Sequence, residues 1–271
     1  MSGLPDLAGQ DLSALPPKER YRILCGILPT VTLEELLEYR KVICTLVPQL
    51  RPSLGFDQRS PHHRYDLYTH VAHVVSLVPG DLTLRWAALL HDIGKPVAFT
   101  LDEEGRGHFK GHAPLGGPMA QTILREMGAP EEQISRVGFL VTMHMARLSP
   151  DEARLRQLVE RQGMDAVTQL LALQRADMQS KGVPGEEQTE RFVQVEEILK
   201  TLSWERVAGQ SPDGCGAVPS LQQGDPSVSL RLTAPFTQGS LPLFRRCGGT
   251  FPQGKVREPE AAFPYGEGGT P

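Results

Sequence analysis

Apolar residues recur at spacings of three and four along most of the chain, the pattern of amphipathic helices. Between residues 62 and 206 this pattern is almost continuous and is interrupted only at Gly and Pro positions. It predicts seven helices, over residues 64–78, 82–92, 113–127, 130–146, 150–162, 164–180 and 186–202. No apolar/polar alternation is long enough to predict a sheet, and residues 100–110 favour a short hairpin or an ordered loop.

The residues before this region predict two further helical segments. One follows the pair Pro16-Pro17, and the other begins at Thr32, where Glu35 completes a capping box. The second segment carries apolar side chains as far as Leu46 and stops at Pro48, after which residues 52–61 read as a loop. We therefore assign residues 1–61 to a short helical N-terminal extension.

The C-terminal residues have a different composition. Of the 65 residues from 207 to 271, 20 are Gly or Pro, and no helical period is present. Such a composition without a repeat is typical of low-complexity chain. We predict a disordered tail over 207–271, and an all-α fold in which residues 62–206 form the main helical bundle.

The overall composition narrows the class of protein. The chain has 271 residues, 39% of them apolar, and a net charge of -4, which argues against a surface that binds nucleic acid everywhere. No apolar run is long enough for a membrane span, and no signal peptide precedes the first helix. The four cysteines form no C-x-x-C pair. These features predict a cytoplasmic protein with no membrane partner, and no pattern assigns an oligomeric state.

Candidate chemistry is concentrated in one part of the chain. All eight histidines lie in residues 62–144, and His91 is followed directly by Asp92 at the end of an apolar helix. A buried carboxylate costs free energy unless a positive group pairs with it. Imidazole and carboxylate ligands together suit divalent Mn, Fe, Co, Ni or Zn, and Mg is a further candidate. We therefore expect a divalent metal cofactor.

The candidate ligands divide into two sets. His70, His91, Asp92 and Asp177 supply four ligands for one ion. A second ion is an alternative, held by His112 and His144 with Asp92 bridging, and two neighbouring metals can activate water and neutralise phosphate oxygens. The other reading of His112 and His144 is hydrogen bonding around the first ion or contact with substrate.

The remaining histidines receive simpler interpretations. His73, one turn after His70, reads as a packed residue or as a hydrogen-bond partner of the ligands. His62, His63 and His108 read as loop residues, and His108 is the one that could also line the site.

Two sequence strings carry a family resemblance. The order H…HD…D, with Leu-Leu-His-Asp-Ile-Gly-Lys-Pro at residues 89–96, resembles the HD superfamily of metal-dependent phosphohydrolases. Longer strings at residues 60–70, 89–112 and 173–177 look like the HD region of bacterial CCA-adding tRNA nucleotidyltransferases. The resemblance covers about residues 18–205, and the N-terminal extension resembles the neck side of those enzymes.

The resemblance implies an all-helical HD domain and assigns roles to residues. By motif match, the family's ligands of the first metal correspond to His70, His91, Asp92 and Asp177. The positions that some HD enzymes use for a second metal correspond to His112 and His144. Lys95 falls where HD enzymes place a phosphate-facing lysine, although a helix cap is the alternative. The implied activity is metal-dependent hydrolysis of nucleotide or RNA-end phosphate esters, with Asp92 and Lys95 as catalytic residues.

One departure from those enzymes keeps a second function open. The chain has no Asp-x-Asp, and only about 60 residues precede the HD region, so we expect no nucleotide addition by this chain alone. The alternative function is the HD and RNA-binding portion of a truncated or split CCA-adding enzyme, with tRNA as partner in 3′-end processing. A metal-binding sensor without turnover is a third reading.

Overall fold

The structure is a computed structural model that describes residues 4–7, 11–60, 64–182 and 185–208. Within these residues the protein consists of α-helices and one short hairpin, which confirms the predicted all-α class. The helices are α1 (Leu4–Leu7), α2 (Pro17–Ile27), α3 (Leu33–Glu38), α4 (Arg40–Leu46), α5 (Leu67–Leu77), α6 (Leu82–Leu90), α7 (Lys95–Ala98), α8 (His112–Glu126), α9 (Glu131–Met143), α10 (Glu152–Gln162), α11 (Met164–Ser180) and α12 (Glu186–Ala208). A 3₁₀ helix covers Pro48–Ser53, and strands β1 (Thr100–Leu101) and β2 (Gly107–His108) pair antiparallel.

The structure differs from the predicted elements in a few places. The segment predicted as one helix from Thr32 to Leu46 is two helices, because the backbone of Tyr39 leaves the helical region at φ -96° and ψ 24°. The capping box itself is present, with Glu35 N–H donating to Thr32 Oγ1 at 3.2 Å. The helix α7 was not predicted, and the tail predicted as disordered lies outside the described residues beyond residue 208.

Two buried helices form the centre of the bundle. The carboxylate of Asp66 caps α5 by accepting the backbone N–H groups of Tyr68 and Thr69, and Asp81 caps α6 in the same way. Both helices are apolar on most of their surface, since α5 packs between α6 and α11 while α6 also packs on α9. Side chains that point inward from these helices are therefore shielded from water.

The N-terminal extension shares the hydrophobic core of the main bundle. Tyr21 of α2 stacks on Trp86 of α6, with ring centroids 5.8 Å apart, and its hydroxyl donates to Gln133 of α9. The hydroxyl of Tyr68 in α5 donates to the carbonyl oxygen of Leu36 in α3 at 3.1 Å. These contacts join α2 to α6 and α9, and α3 to α5.

The described residues also include two of the four cysteines and all the helices that can be checked for a membrane span. Cys25 and Cys44 are free thiols on helices, and burial raises the pKa of Cys44 to about 12, so this thiol stays protonated. Among the residues described, no helix combines the length and apolar character that a bilayer crossing requires.

Candidate metal centre

Five helices bring six ionisable side chains together inside the bundle. His70 projects from the middle of α5, and Asp177 comes from the last turn of α11. His91 and Asp92 lie in the turn between the end of α6 and the start of α7. The remaining two, His112 and His144, lie at the start of α8 and just after α9. All six side chains are buried.

The first donor group consists of His70, His91, Asp92 and Asp177. The Nε2 atom of His70 lies 3.2 Å from Nε2 of His91, from Oδ2 of Asp92 and from Oδ1 of Asp177. Nε2 of His91 lies 3.1 Å from the same Asp92 oxygen. Four potential ligand atoms, from two helices and one turn, therefore lie close to one another.

The second donor group consists of Asp92, His112 and His144. It uses the other carboxylate oxygen, Oδ1, which lies 3.2 Å from Nε2 of His112 and 3.6 Å from Nε2 of His144. The two imidazole nitrogens are 3.3 Å apart. Asp92 therefore presents one oxygen to each group, which is the arrangement of a carboxylate shared by two adjacent cation sites.

The hydrogen bonds made by the Nδ1 atoms of these histidines define which ring nitrogen faces the cluster. Nδ1 of His91 donates to Ala88 O at 2.8 Å, and Nδ1 of His144 donates to Val141 O at 2.7 Å. Nδ1 of His112 donates to Phe109 O at 2.7 Å. A carbonyl oxygen only accepts, so in each neutral ring the proton is on Nδ1 and the lone pair is on Nε2.

A serine gives His70 the same orientation. The hydroxyl of Ser180 donates to the carbonyl oxygen of Asp177 at 2.6 Å, so its oxygen accepts from Nδ1 of His70 at 3.0 Å. The Nε2 lone pair of His70 then also points into the cluster. Four imidazole lone pairs and two carboxylates converge, and such an array is stabilised by a cation. The residues present therefore fit divalent metal ions with mixed nitrogen and oxygen ligands.

The electrostatics of the cluster favour positive charge at its centre. Burial would raise the pKa of Asp92, but His91, Lys95 and the second-group histidines hold it well below the usual value. Burial would likewise raise the pKa of Asp177, but His70 and Lys181 outweigh it and lower that pKa. Both carboxylates therefore stay ionised.

The two central imidazoles respond to burial in opposite ways. Burial would lower the pKa of His70, but its contacts with Asp177 and Asp92 raise that pKa above the ordinary value. For His91, burial dominates and lowers the pKa, although Asp92 acts against it. A positive charge is therefore favoured at the point between the two carboxylates.

Lys95 is buried at the edge of the cluster. Its Nζ lies 2.7 Å from Oδ2 of Asp92 and donates to Oε1 of Gln58 at 2.9 Å. The preceding residue, Gly94, allows α8 to approach closely, because a Cβ at Gly94 would lie 2.3 Å from the carbonyl oxygen of His112. The turn formed by Ile93, Gly94 and Lys95 therefore lies directly against the start of α8, which carries His112.

A cleft of about 370 Å³ leads from solvent to the cluster. Asp92, Lys95 and His112 lie at its buried end, and the charged side chains of Lys110 and Lys181 line its walls. Nζ of Lys181 also lies 2.8 Å from Oδ2 of Asp177. The described part of the cleft thus combines a buried carboxylate–imidazole cluster with three lysines, a setting that attracts an anionic ligand.

Comparison with known proteins agrees with this geometry. The profile of the HD domain family matches residues 68–191, which hold every member of both donor groups. The chain contains an HD domain. Its HD region is homologous to that of CCA-adding tRNA nucleotidyltransferases.

Three relatives show the extent of the similarity. The A-adding tRNA nucleotidyltransferase of Deinococcus radiodurans is 32% identical over 200 residues, 72% of this chain and 44% of that protein. The CC-adding tRNA nucleotidyltransferase of Thermus thermophilus is 35% identical over 233 residues, 82% of this chain and 52% of that protein. The multifunctional CCA protein of Pseudomonas fluorescens is 31% identical over 119 residues, 42% of this chain and 28% of that protein. The chain spans about half the length of the first two.

The HD domain brings all six predicted metal ligands into one cluster. Lys95 lies in the cluster as well and pairs with Asp92, and it is also the first residue of α7. His73 lies apart and stacks on Tyr65 with ring centroids 4.5 Å apart. His108 lines the cleft, and His62 and His63 lie outside the described residues.

Three residues around the cluster were not predicted from the sequence, and one of them, Gln58, precedes the matched HD region. Ser180 and Lys181 lie three and four positions after Asp177, so helical spacing places them on the same face and could have indicated them. Gln58 comes from the loop 37 positions before Lys95, and no spacing rule connects the two. Its side chain is 2% exposed, and its Nε2 donates to Tyr65 O.

Proposed function

We propose that the HD domain is a metal-dependent phosphohydrolase that binds two divalent cations and acts on phosphomonoesters or phosphodiesters of nucleotides or RNA ends. The observation that carries the proposal is the buried carboxylate of Asp92, shared between two groups of imidazole lone pairs. Adjacent divalent cations, when bound, supply Lewis acidity and make water a stronger nucleophile. The first donor group and the second donor group would hold one cation each.

The residues of the chain provide the rest of the required setting. Lys95 lies at the buried end of the cleft, where its ammonium group is held by Asp92 and Gln58 and can offset charge on phosphate oxygens. Lys110 and Lys181 line the same cleft and add positive charge nearer to solvent. The cleft therefore orients an ester with its phosphate inward and its alcohol group outward.

Hydrolysis assays test this proposal directly. We expect the protein to hydrolyse nucleoside monophosphates or 2′,3′-cyclic nucleotides when Mn²⁺, Ni²⁺ or Co²⁺ is present. A chelator should abolish the activity, because the donor groups then lose their ions, and added metal should restore it. Phosphate release measures hydrolysis of the monophosphates, and conversion to the ring-opened nucleoside monophosphate measures hydrolysis of the cyclic nucleotides. A protein that hydrolyses none of these esters with any of the three metals would contradict the proposal.

We infer a second function from the two relatives that match most of this chain. Both are tRNA nucleotidyltransferases by name, and they match 72% and 82% of this chain. The inference is that this chain is the HD and RNA-binding portion of a CCA-adding enzyme and binds tRNA during 3′-end processing.

Binding measurements at several salt concentrations test the tRNA inference. We expect affinity for tRNA to fall steeply as salt rises, since phosphate contacts release counterions. Fluorescence anisotropy with labelled tRNA measures this, and a DNA duplex of similar length serves as control. Absence of tRNA binding at low salt, or equal affinity for the duplex, would exclude a specific tRNA partner.

A further inference from the structure

A histidine–carboxylate pair lies at the mouth of the cleft. Nε2 of His108, in β2, lies 2.8 Å from Oδ2 of Asp102 in the hairpin turn. The other oxygen of Asp102 accepts the backbone N–H groups of Glu104 at 3.1 Å and Arg106 at 2.7 Å. The hydrogen bond to His108 is the largest of several that lower the pKa of Asp102, so this carboxylate is ionised beside the imidazole.

The hairpin that carries the pair is fixed to the helical bundle. Gly107 donates its N–H to the carbonyl oxygen of Arg59 at 2.9 Å, and a Cβ at Gly107 would lie only 2.2 Å from the carbonyl oxygen of Gln58. The β1–β2 register also pairs Thr100 with His108. These contacts fix the hairpin, and with it the backbone of His108, to the loop that contains Gln58. The side chain of Gln58 in turn accepts a hydrogen bond from Lys95.

The position of His108 relative to the buried cluster suggests a role. His108 lines the cleft together with Asp92 and Lys95, but its side chain is 56% exposed while theirs are buried. A phosphate ester with its phosphate at the buried end must direct its alcohol toward this exposed end. Because Nε2 of His108 is bound by Asp102, Nδ1 is the nitrogen that would donate to a departing alcohol.

We propose that His108, oriented by Asp102, is the general acid that protonates the leaving oxygen of the phosphate ester. This step rests on the proposed phosphohydrolase function. An oxygen from water forms a bond to phosphorus as the bond from phosphorus to the ester oxygen breaks. The ester oxygen keeps the electron pair and takes a proton from Nδ1 of the His108 imidazolium. Solvent accepts the proton that the water loses and returns one to His108.

The leaving group provides the test of this step. An aryl phosphate such as p-nitrophenyl phosphate releases a stable phenolate and needs no proton, whereas adenosine 3′-monophosphate releases a sugar oxygen that does. We expect His108→Asn to lower kcat for adenosine 3′-monophosphate on the order of 100-fold. The kcat for p-nitrophenyl phosphate should change little.

Two further variants complete the experiment. Asp102→Asn keeps the turn but removes the charge, so it should show the same substrate dependence with a smaller loss. Glu103→Gln removes a neighbouring exposed charge from the hairpin and should leave both substrates unaffected. Equal losses on both esters, or no loss on either, would overturn the assignment of His108. A wild-type protein inactive on both esters and on 2′,3′-cyclic nucleotides would instead overturn the phosphohydrolase function itself.

Discussion

Asp92→Asn is expected to lower phosphate ester hydrolysis by more than about 100-fold, because changes merely adjacent to metal ligands already cost about 10- to 100-fold. Asp92 serves both donor groups, with Oδ2 near His70 and His91 and Oδ1 near His112 and His144. An asparagine amide carries no charge and has only one oxygen. Its NH₂ group must therefore face one of the two groups, where it offers no lone pair to a cation. Phosphate release under the conditions that activate the wild-type protein is the measurement.

Asp165→Asn is the matched control for this substitution. Asp165 is exposed in the first turn of α11, twelve positions before Asp177, which is about 18 Å along a helix. It should keep wild-type activity. The Asp92→Asn protein should keep its far-ultraviolet circular dichroism, since Lys95 retains its hydrogen bond to Gln58. Wild-type rates for a folded Asp92→Asn protein would exclude Asp92 from the reaction.

Gly94→Ala is expected to lower both the free energy of unfolding and the activity. The backbone of Gly94 (φ -79°, ψ -14°) suits any residue, so the effect is steric. Its Cβ would lie 2.3 Å from His112 O and 3.0 Å from Gly116 N, and these backbone atoms move only with α8. Overpacking of this kind costs about 1–3 kcal/mol. The shift of α8 would also carry His112 away from Asp92.

Gly26→Ala, in α2, provides a control away from this contact. A Cβ at Gly26 would meet none of the described atoms within 4 Å. Alanine also favours the helix by about 1 kcal/mol over glycine. Chemical denaturation and phosphate release should therefore separate the two variants. Equal effects would show that the approach of α8 to Gly94 does not position His112.

The helical bundle and the six clustered side chains could be predicted because both leave local signals. Helical spacing indicates where most of the helices run, and the side-chain caps at Thr32 and Asp66 mark where two of them begin. A carboxylate after the apolar run that ends at Leu90 indicates a buried charge in need of a partner. Two features of the helices could not be predicted from the local pattern of apolar residues. Tyr39 interrupts a segment whose apolar spacing is continuous, and α7 is only four residues long.

The finer features of the site depend on contacts between distant segments. Gln58 reaches Lys95 across 37 positions, and the pairing of Asp102 with His108 depends on the register of a hairpin with two-residue strands. The sequence also does not show which nitrogen of each histidine faces inward. That follows from the carbonyl groups and from Ser180, which accept the Nδ1 protons in the folded chain.

The metal content of the purified protein tests the central claim most directly. After saturation with Mn²⁺ and removal of unbound ion, elemental analysis should find about two ions per wild-type chain, one for each donor group. His144→Asn should reduce the content to about one, because the first donor group stays intact. A wild-type protein that retains no ion, or an Asp92→Asn protein that retains as many as the wild type, would contradict the claim that this cluster is a metal centre.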